Sequence, residues 1–321
     1  MKTTRLQLAV LVMLLGCTGL ALWQRQAIID WLLLRNYTPP VAVVQLAGDD
    51  TMTAKARHLF YVNHPQISNG KLFSSHCPAG SEKTVVLGCY LGNDHGIYLY
   101  QITNDPRLNG VEQVTAAHEM LHAAYRRLSS GERTKVDAML MSYYQHGLTD
   151  QRIKDTIDAY KQSEPHDVVN EMHSIFGTEV ADLPATLEAY YQQYFTDRSK
   201  VAAYTASYQG EFTSRKAQVA QYDAQLQDLG QQIDANNKLL DVQKKNLNTQ
   251  SQQLQAERGN VGTYNRDVVT YNQLVDRYNE LVAQTKRLIS QYNTIVDERN
   301  SIALEEQQLT QELSASSLPS K

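Results

Sequence analysis

The stretch Thr115–Ala124, TAAHEMLHAA, decides the fold of the central part of the chain. Apolar residues recur through it at helical spacing, so we predict a helix from about Val111 to Leu128. His118 and His122 lie one turn apart on one face, where two imidazoles can bind one metal ion. Glu119 is one residue further round, within reach of water at that ion. The spacing H-E-x-x-H therefore predicts a metal site with a catalytic base, with a half-buried helix carrying two ordinary histidines as the alternative.

A second predicted helix, which starts near Pro165, offers a third metal ligand. A catalytic zinc site needs three protein donors and one open position. The segment reads NEMHS at residues 170–174. Glu171 is the favoured third ligand, and His173 and Glu179 are its rivals on the same segment.

The two motifs, H-E-x-x-H and N-E-x-x-S, together resemble the zinc motifs of the thermolysin-type peptidases, the gluzincins. The resemblance covers only these motifs. It implies an α+β zincin-like peptidase domain, a small sheet plus active-site helices, in which Zn²⁺ is bound by His118, His122 and Glu171. It also implies that Glu119 activates a zinc-bound water for peptide hydrolysis. The family has Asp where this chain has Ile175. In the family this Asp supports the first histidine ligand, so here His118 must be supported in another way.

The residues before the active-site helix predict strands. Two β-rich runs, Thr84–Leu91 and Gly96–Thr103, are joined by the turn-forming residues 92–95 and predict a hairpin. Val41–Leu46 is predicted as an earlier strand, and Thr51–Tyr61 as a helix capped by Asp50 or Thr51. The gluzincin resemblance further implies that an edge strand, Ile97–Ile102, pairs with an extended substrate.

The sequence makes less specific predictions for the remaining histidines and tyrosines. Peptide hydrolysis needs a second donor to the developing oxyanion, usually a Tyr or a His. The candidates are Tyr143, Tyr144, His146 and His166. The histidines without a spaced partner, expected at the surface or in turns, are His58, His64, His76 and His95.

The N-terminus predicts export. Lys2 and Arg5 precede an uncharged apolar run, Leu6–Trp23, which as a helix would span about 27 Å. Residues 1–36 are therefore predicted as a single-pass membrane anchor with its N-terminus in the cytoplasm and the rest of the chain outside. A lipoprotein anchored at Cys17 and a cleaved signal peptide are the alternatives. In the oxidising compartment that all three imply, Cys77 and Cys89 predict a disulfide, with two buried free thiols as the alternative.

The C-terminal third predicts a different architecture. Apolar residues repeat every seven positions from Val219 to Leu254, and a second such seam runs from Val268 to Val296. The glycines of residues 258–262 separate the two. Residues 205–315 therefore predict an all-α antiparallel coiled-coil hairpin after a peptidase domain at 37–200. Tyr and Asn at the seam edges leave open a coiled-coil partner or self-association.

Charge excludes one class of partner. The 321 residues include 30 basic and 34 acidic ones, a net charge of −4, with no basic run long enough for nucleic acid. The sequence thus predicts a membrane-anchored, extracytoplasmic zinc peptidase whose substrate is a peptide or protein, with cell-wall peptide among the options. A non-catalytic envelope scaffold with a structural or degenerate metal site is the alternative.

Overall fold

The computed structural model describes residues 24–77, 86–92, 96–102 and 105–314. Helices dominate these residues. In chain order the helices are α1 (Arg25–Leu34), α2 (Val41–Asp49), α3 (Ala54–Val62), α4 (Gly70–His76), α5 (Val111–Arg126), α6 (Ser130–His146), α7 (Gln151–Ser163), α8 (Val168–Glu179), α9 (Ala185–Tyr191), α10 (Arg198–Ala256) and α11 (Val261–Ser314). The strands are β1 (Gln66–Ser68), β2 (Gly88–Leu91) and β3 (Gly96–Tyr100).

The predicted fold class is wrong. The sheet has three strands of only three, five and four residues in the order β1-β3-β2, and long helices make up most of the molecule. The chain is therefore not a clear α+β zincin-like fold. Val41–Leu46 also lies in a helix, α2, because Val43, Leu46 and Ala47 are buried at helical spacing. The three valines of this segment have high β-propensity, but packing outweighs such propensity.

The sheet places a different strand at its edge from the one predicted. β3 pairs in parallel with β1 and antiparallel with β2, so among the described strands β3 is central and β2 lies at an edge. Ile97 and Leu99 on β3 are fully buried. The continuous apolar run Gly96–Tyr100 is typical of a strand covered on both faces, which explains why the edge assignment of Ile97–Ile102 was wrong.

Helix α5 is the centre of the core. It contacts α2, α3 and α8 as well as strands β2 and β3. Its residues are buried almost throughout, from Val111 to Tyr125. The helix α3 that packs on it is capped by Thr53, whose side-chain oxygen accepts a hydrogen bond from the Ala56 backbone, rather than by Asp50 or Thr51.

The chain divides into two compact units. One, here called the site unit, comprises the described residues of Met1–Gly210 and Thr310–Lys321, and the other, the hairpin unit, comprises Glu211–Leu309. Within the hairpin unit, Arg215 pairs with Glu305 and Arg299 with Asp223, so its two helical segments run antiparallel. The heptad packing of a coiled coil stays a prediction.

The membrane anchor falls largely outside the described residues. Among the helices of the described ranges, none is long and apolar enough to span a bilayer. The apolar run of residues 6–23 precedes those ranges. The last part of the segment predicted as anchor is α1, and it packs on α3.

Candidate metal centre

Helix α5 presents two histidines to one site. It begins after Gly110, whose φ of 98° is a left-handed conformation that glycine adopts readily. His118 and His122 then lie one turn apart, with ring centroids separated by 4.7 Å. Only 16% of the His118 side chain and 10% of the His122 side chain are exposed. Both imidazoles are therefore largely withdrawn from water.

Helix α8 brings the third donor against this pair. The two helices approach closely at Gly177, where a Cβ atom would lie 2.4 Å from Leu121 Cδ1. Glu171, in the first turn of α8, is 6% exposed and faces both histidines. Its Oε2 lies 3.6 Å from His118 Nε2, and its Oε1 lies 3.4 Å from His122 Nε2.

These separations match a metal site. Donor atoms at about 2.1 Å from a tetrahedral zinc ion are about 3.4 Å apart, whereas hydrogen-bonded N and O atoms are closer. The ligand atoms of His118, His122 and Glu171 all lie within 4.8 Å of one another. This metal group can hold a metal ion, which confirms the prediction of a metal-binding cluster; the identity of the metal stays a prediction.

The electrostatics of the metal group favour positive charge. Burial by itself lowers the pKa of His118, but the Glu171 carboxylate and the charges of Glu119 and Glu179 outweigh burial and raise that pKa to about 9. Burial by itself raises the pKa of Glu171, yet the two imidazoles hold it below its ordinary value. A site that stabilises a protonated imidazole beside a carboxylate also favours a bound cation.

Glu119 is buried beside the metal group without belonging to it. Burial, the largest influence, raises its pKa above the ordinary value for a glutamate. The backbone N–H of Tyr90 on β2 donates a hydrogen bond to its carboxylate. Strand β2 comes so close that a Cβ atom on Gly88 would lie 2.9 Å from Glu119 Oε1 and 2.5 Å from Thr115 Cγ2. The edge strand thus positions the candidate base.

A cleft of about 460 Å³ opens over these groups. Its lining comes from β2, from the end of α4, and from helices α5, α6, α7 and α8. Besides the metal group and Glu119, the lining side chains include those of His76, Tyr90, Tyr125, Arg126, Arg133, Tyr160, Glu164 and Asp167. Cys77 and Cys89, which form a disulfide, also line it. That bond ties the end of α4 to the edge strand.

The rival ligands are occupied elsewhere. His173 is buried among tyrosines, and its Nε2 lies 2.9 Å from the Tyr190 hydroxyl. Burial and the other two imidazoles lower the pKa of His173 to about 3. Glu179 accepts a hydrogen bond from Arg152 at 2.7 Å. Of the three proposed third ligands, the structure brings Glu171 to the histidine pair.

The other predicted polar residues have different positions. The four oxyanion candidates, Tyr143, Tyr144, His146 and His166, are not among the residues that line the cleft. His58 contacts Asp30, His64 stacks on Tyr37, and His95 lies outside the described residues. His76, expected to be a surface or turn residue, stacks on Tyr98 and lines the cleft.

Some cleft residues were missed by sequence reasoning. Arg126 had a local signal, because it follows His122 by four residues on the same face of α5. Tyr160 had none, since α7 reaches the cleft only through tertiary packing. Ile175, which replaces the Asp of the gluzincin motif, is buried in the core. The Nδ1 atom of His122 is likewise buried and has no hydrogen-bond partner among the described residues.

A second group of carboxylates adjoins the metal group. Glu164 and Asp167 have oxygens within 4.8 Å of each other and of Glu171. Asp167 is exposed, and exposed acidic residues commonly cluster without a metal ion. The histidine-containing group is therefore the stronger candidate.

Comparison with protein-family models, with curated proteins and with solved structures finds no match for this chain.

Proposed function

We propose that the chain is a zinc-dependent peptidase. The observation that supports this best is the combination of a two-histidine, one-carboxylate group with a separate buried carboxylate, Glu119, in one cleft. A purely structural metal site needs ligands but no additional base. Two histidines and a glutamate with an open position are typical of catalytic zinc, although the same donor types also bind iron.

The residues of the cleft divide the chemistry between them. When bound, zinc supplies Lewis acidity that polarises the scissile carbonyl and lowers the pKa of water. Glu119 accepts a proton from the attacking water and returns it to the leaving amine. Its raised pKa brings the carboxylate closer to the range in which one group can do both.

Strand β2 supports a peptide as the substrate. It is an edge strand, it lines the cleft, and it runs beside Glu119. An extended peptide could add to such an edge by main-chain hydrogen bonds other than that of the Tyr90 N–H, which donates to Glu119. The same geometry accommodates a protein segment or a cell-wall peptide.

Metal content and hydrolysis, measured on the same full-length samples, test the proposal. We expect about one zinc per chain in the unchanged protein and in Glu119→Gln, and loss of the metal in His122→Ala and Glu171→Ala. Hydrolysis of an unfolded protein or a cell-wall peptide should fall roughly 10²- to 10⁴-fold in Glu119→Gln.

Glu164→Gln is the matched control, because it removes a carboxylate of the cleft outside the histidine group. It should retain the metal; loss of metal here would place the ion among Glu164, Asp167 and Glu171 instead. If the protein binds zinc but hydrolyses neither substrate, and Glu119→Gln leaves its zinc content unchanged, the non-catalytic scaffold is favoured. Iron rather than zinc would contradict the proposed cofactor.

A further inference from the structure

Helix α1 has two unlike faces. On the inner face, Asp30 is 6% exposed and accepts hydrogen bonds from both terminal nitrogens of Arg127, at 2.7 and 2.9 Å. On the outer face, Ile28, Trp31 and Leu32 are 44%, 63% and 47% exposed. These three residues follow the spacing i, i+3, i+4, so they form one apolar stripe along the helix.

The composition of the outer face matches a membrane interface. Tryptophan is enriched where hydrocarbon meets headgroups, because its ring is apolar and its N–H is polar. The Arg35 guanidinium lies 5.9 Å from the centre of the Trp31 ring, and Arg25 begins the helix. Cations at both ends of an apolar stripe complement anionic lipid headgroups.

The position of α1 in the chain also favours a bilayer as the partner of its outer face. The apolar run predicted as the anchor, residues 6–23, ends at Trp23, two residues before α1 begins. Trp31 follows Trp23 by eight residues, a length that spans about 12 Å as a helix, roughly twice the polar interface of about 5–8 Å on one side of a bilayer. If the run spans the bilayer, α1 cannot be far from its surface.

We propose that α1 is an interfacial helix, which rests on the bilayer through Ile28, Trp31 and Leu32 and seats the site unit there. The inference goes beyond the proposed peptidase activity and requires only the predicted anchor. Because Asp30 binds Arg127, the residue directly after α5, the contact also constrains the helix that carries His118 and His122. The cleft would then keep a set orientation towards the membrane.

Fluorescence can test this contact, since Trp23 and Trp31 are the two tryptophans of the chain. The full-length protein is reconstituted into vesicles of phosphatidylcholine and phosphatidylglycerol, with or without bromine atoms near the headgroup end of the acyl chains. In Trp23→Phe, Trp31 is the sole reporter. We expect brominated lipid to reduce its emission, and we expect weak quenching by aqueous acrylamide.

The matched variant Trp31→Phe leaves Trp23 as a reporter of the anchor. If Trp23 is quenched by brominated lipid while Trp31 is quenched only by acrylamide, the anchor stands and the interfacial helix is overturned. If neither is quenched by lipid, both fail. Protection of Trp31 that depends on protein concentration, and not on brominated lipid, would overturn the inference in favour of a second copy. None of these outcomes depends on hydrolysis, so the proposed activity is tested separately.

Discussion

The two units place their polar residues differently. In the site unit, charged side chains such as Asp30, Glu119 and Glu171 are buried, and Asp30 and Glu171 meet partners from distant parts of the chain. In the hairpin unit, the described residues include three that are buried, Leu281, Thr285 and Leu309. The site unit is therefore specified by long-range contacts between few groups, whereas the hairpin is specified by a repeated local pattern. The same type of substitution should therefore change the stability of the two units by different amounts.

Metal removal should give the largest difference. Zinc at about a thousandfold excess over its dissociation constant stabilises the folded state by about 4 kcal/mol, because it binds the native group and not the dispersed ligands. A chelator should therefore lower the unfolding temperature of the site unit and leave that of the hairpin unit unchanged. Calorimetry measures both transitions. His122→Ala serves as the control, and its transitions should not respond to the chelator. A chelator effect that persists in this variant would contradict the assigned ligands.

The ion pair between Asp30 and Arg127 should show the next largest effect. Asp30→Ala removes the carboxylate that pairs with the largely buried Arg127 guanidinium, which costs about 3 kcal/mol in the free energy of unfolding. The matched change in the hairpin, Asp223→Ala, removes an exposed partner of Arg299 and should cost less than about 1 kcal/mol. Denaturant titration of both variants measures the difference, and equal losses would refute the comparison.

This pair also has a defined pH dependence. Burial raises the pKa of Asp30, but hydrogen bonds from Arg127 and His58 outweigh burial, and the net pKa lies below the ordinary 3.8. A carboxyl with a lowered folded-state pKa contributes stability above its unfolded pKa and loses it as the pH falls through the folded value. The stability difference between the unchanged protein and Asp30→Asn should therefore be constant above about pH 5 and shrink below pH 4.

The effect of a glycine-to-alanine substitution on the free energy of unfolding should have opposite signs in the two units. At Gly177 a methyl group would meet Leu121 and Tyr191, both fully buried, so Gly177→Ala should destabilise the protein by about 2 kcal/mol. At Gly230 in the hairpin, nothing lies within 4 Å of the added carbon, and Gly230→Ala should stabilise its helix by about 0.5–1 kcal/mol. Thermal unfolding of the two variants measures both signs. Destabilisation at Gly230 would show that the hairpin packs on a further surface there.

The same division explains what could be predicted from the sequence. The pairing of His118 with His122 follows from helical geometry alone, and Glu171 was found because its motif is also local. The central position of β3 and the helical state of Val41–Leu46 depend on what packs against them. The continuous apolar run of β3 is a local sign of burial on both faces, but the strands that flank it come from other segments. The neighbours that decide the state of Val41–Leu46 are likewise distant in the chain.

The cleft lining shows the limit of local patterns most clearly. Tyr160 comes from α7 and His76 from the end of α4, and neither has a spaced partner in the sequence. Both reach the cleft because α7 packs on α8 and α4 packs on β3. In the hairpin unit, by contrast, the heptad seams are clear in the sequence, but they do not identify a partner.

The smallest expected effect concerns the position of Glu119. A methyl group on Gly88 would lie 2.5 Å from Thr115 Cγ2 and 2.9 Å from Glu119 Oε1, so Gly88→Ala should displace the edge strand and with it the Glu119 carboxylate. Because α5 is packed in the core whereas β2 lies at the edge of the sheet, we expect β2 to move and metal content to be unchanged. Hydrolysis should fall about tenfold, because small displacements of a catalytic group are costly.

Gly230→Ala again gives the comparison, because the hairpin contributes no residue to the described cleft and its variant should hydrolyse peptide at the unchanged rate. The rate is measured with saturating substrate, and metal content is measured on the same sample. Loss of metal together with activity in Gly88→Ala would mean that the edge strand supports the ligands themselves. An unchanged rate would mean that Glu119 does not need the position that β2 imposes on it, and the role of Glu119 as the base would then have to be reconsidered.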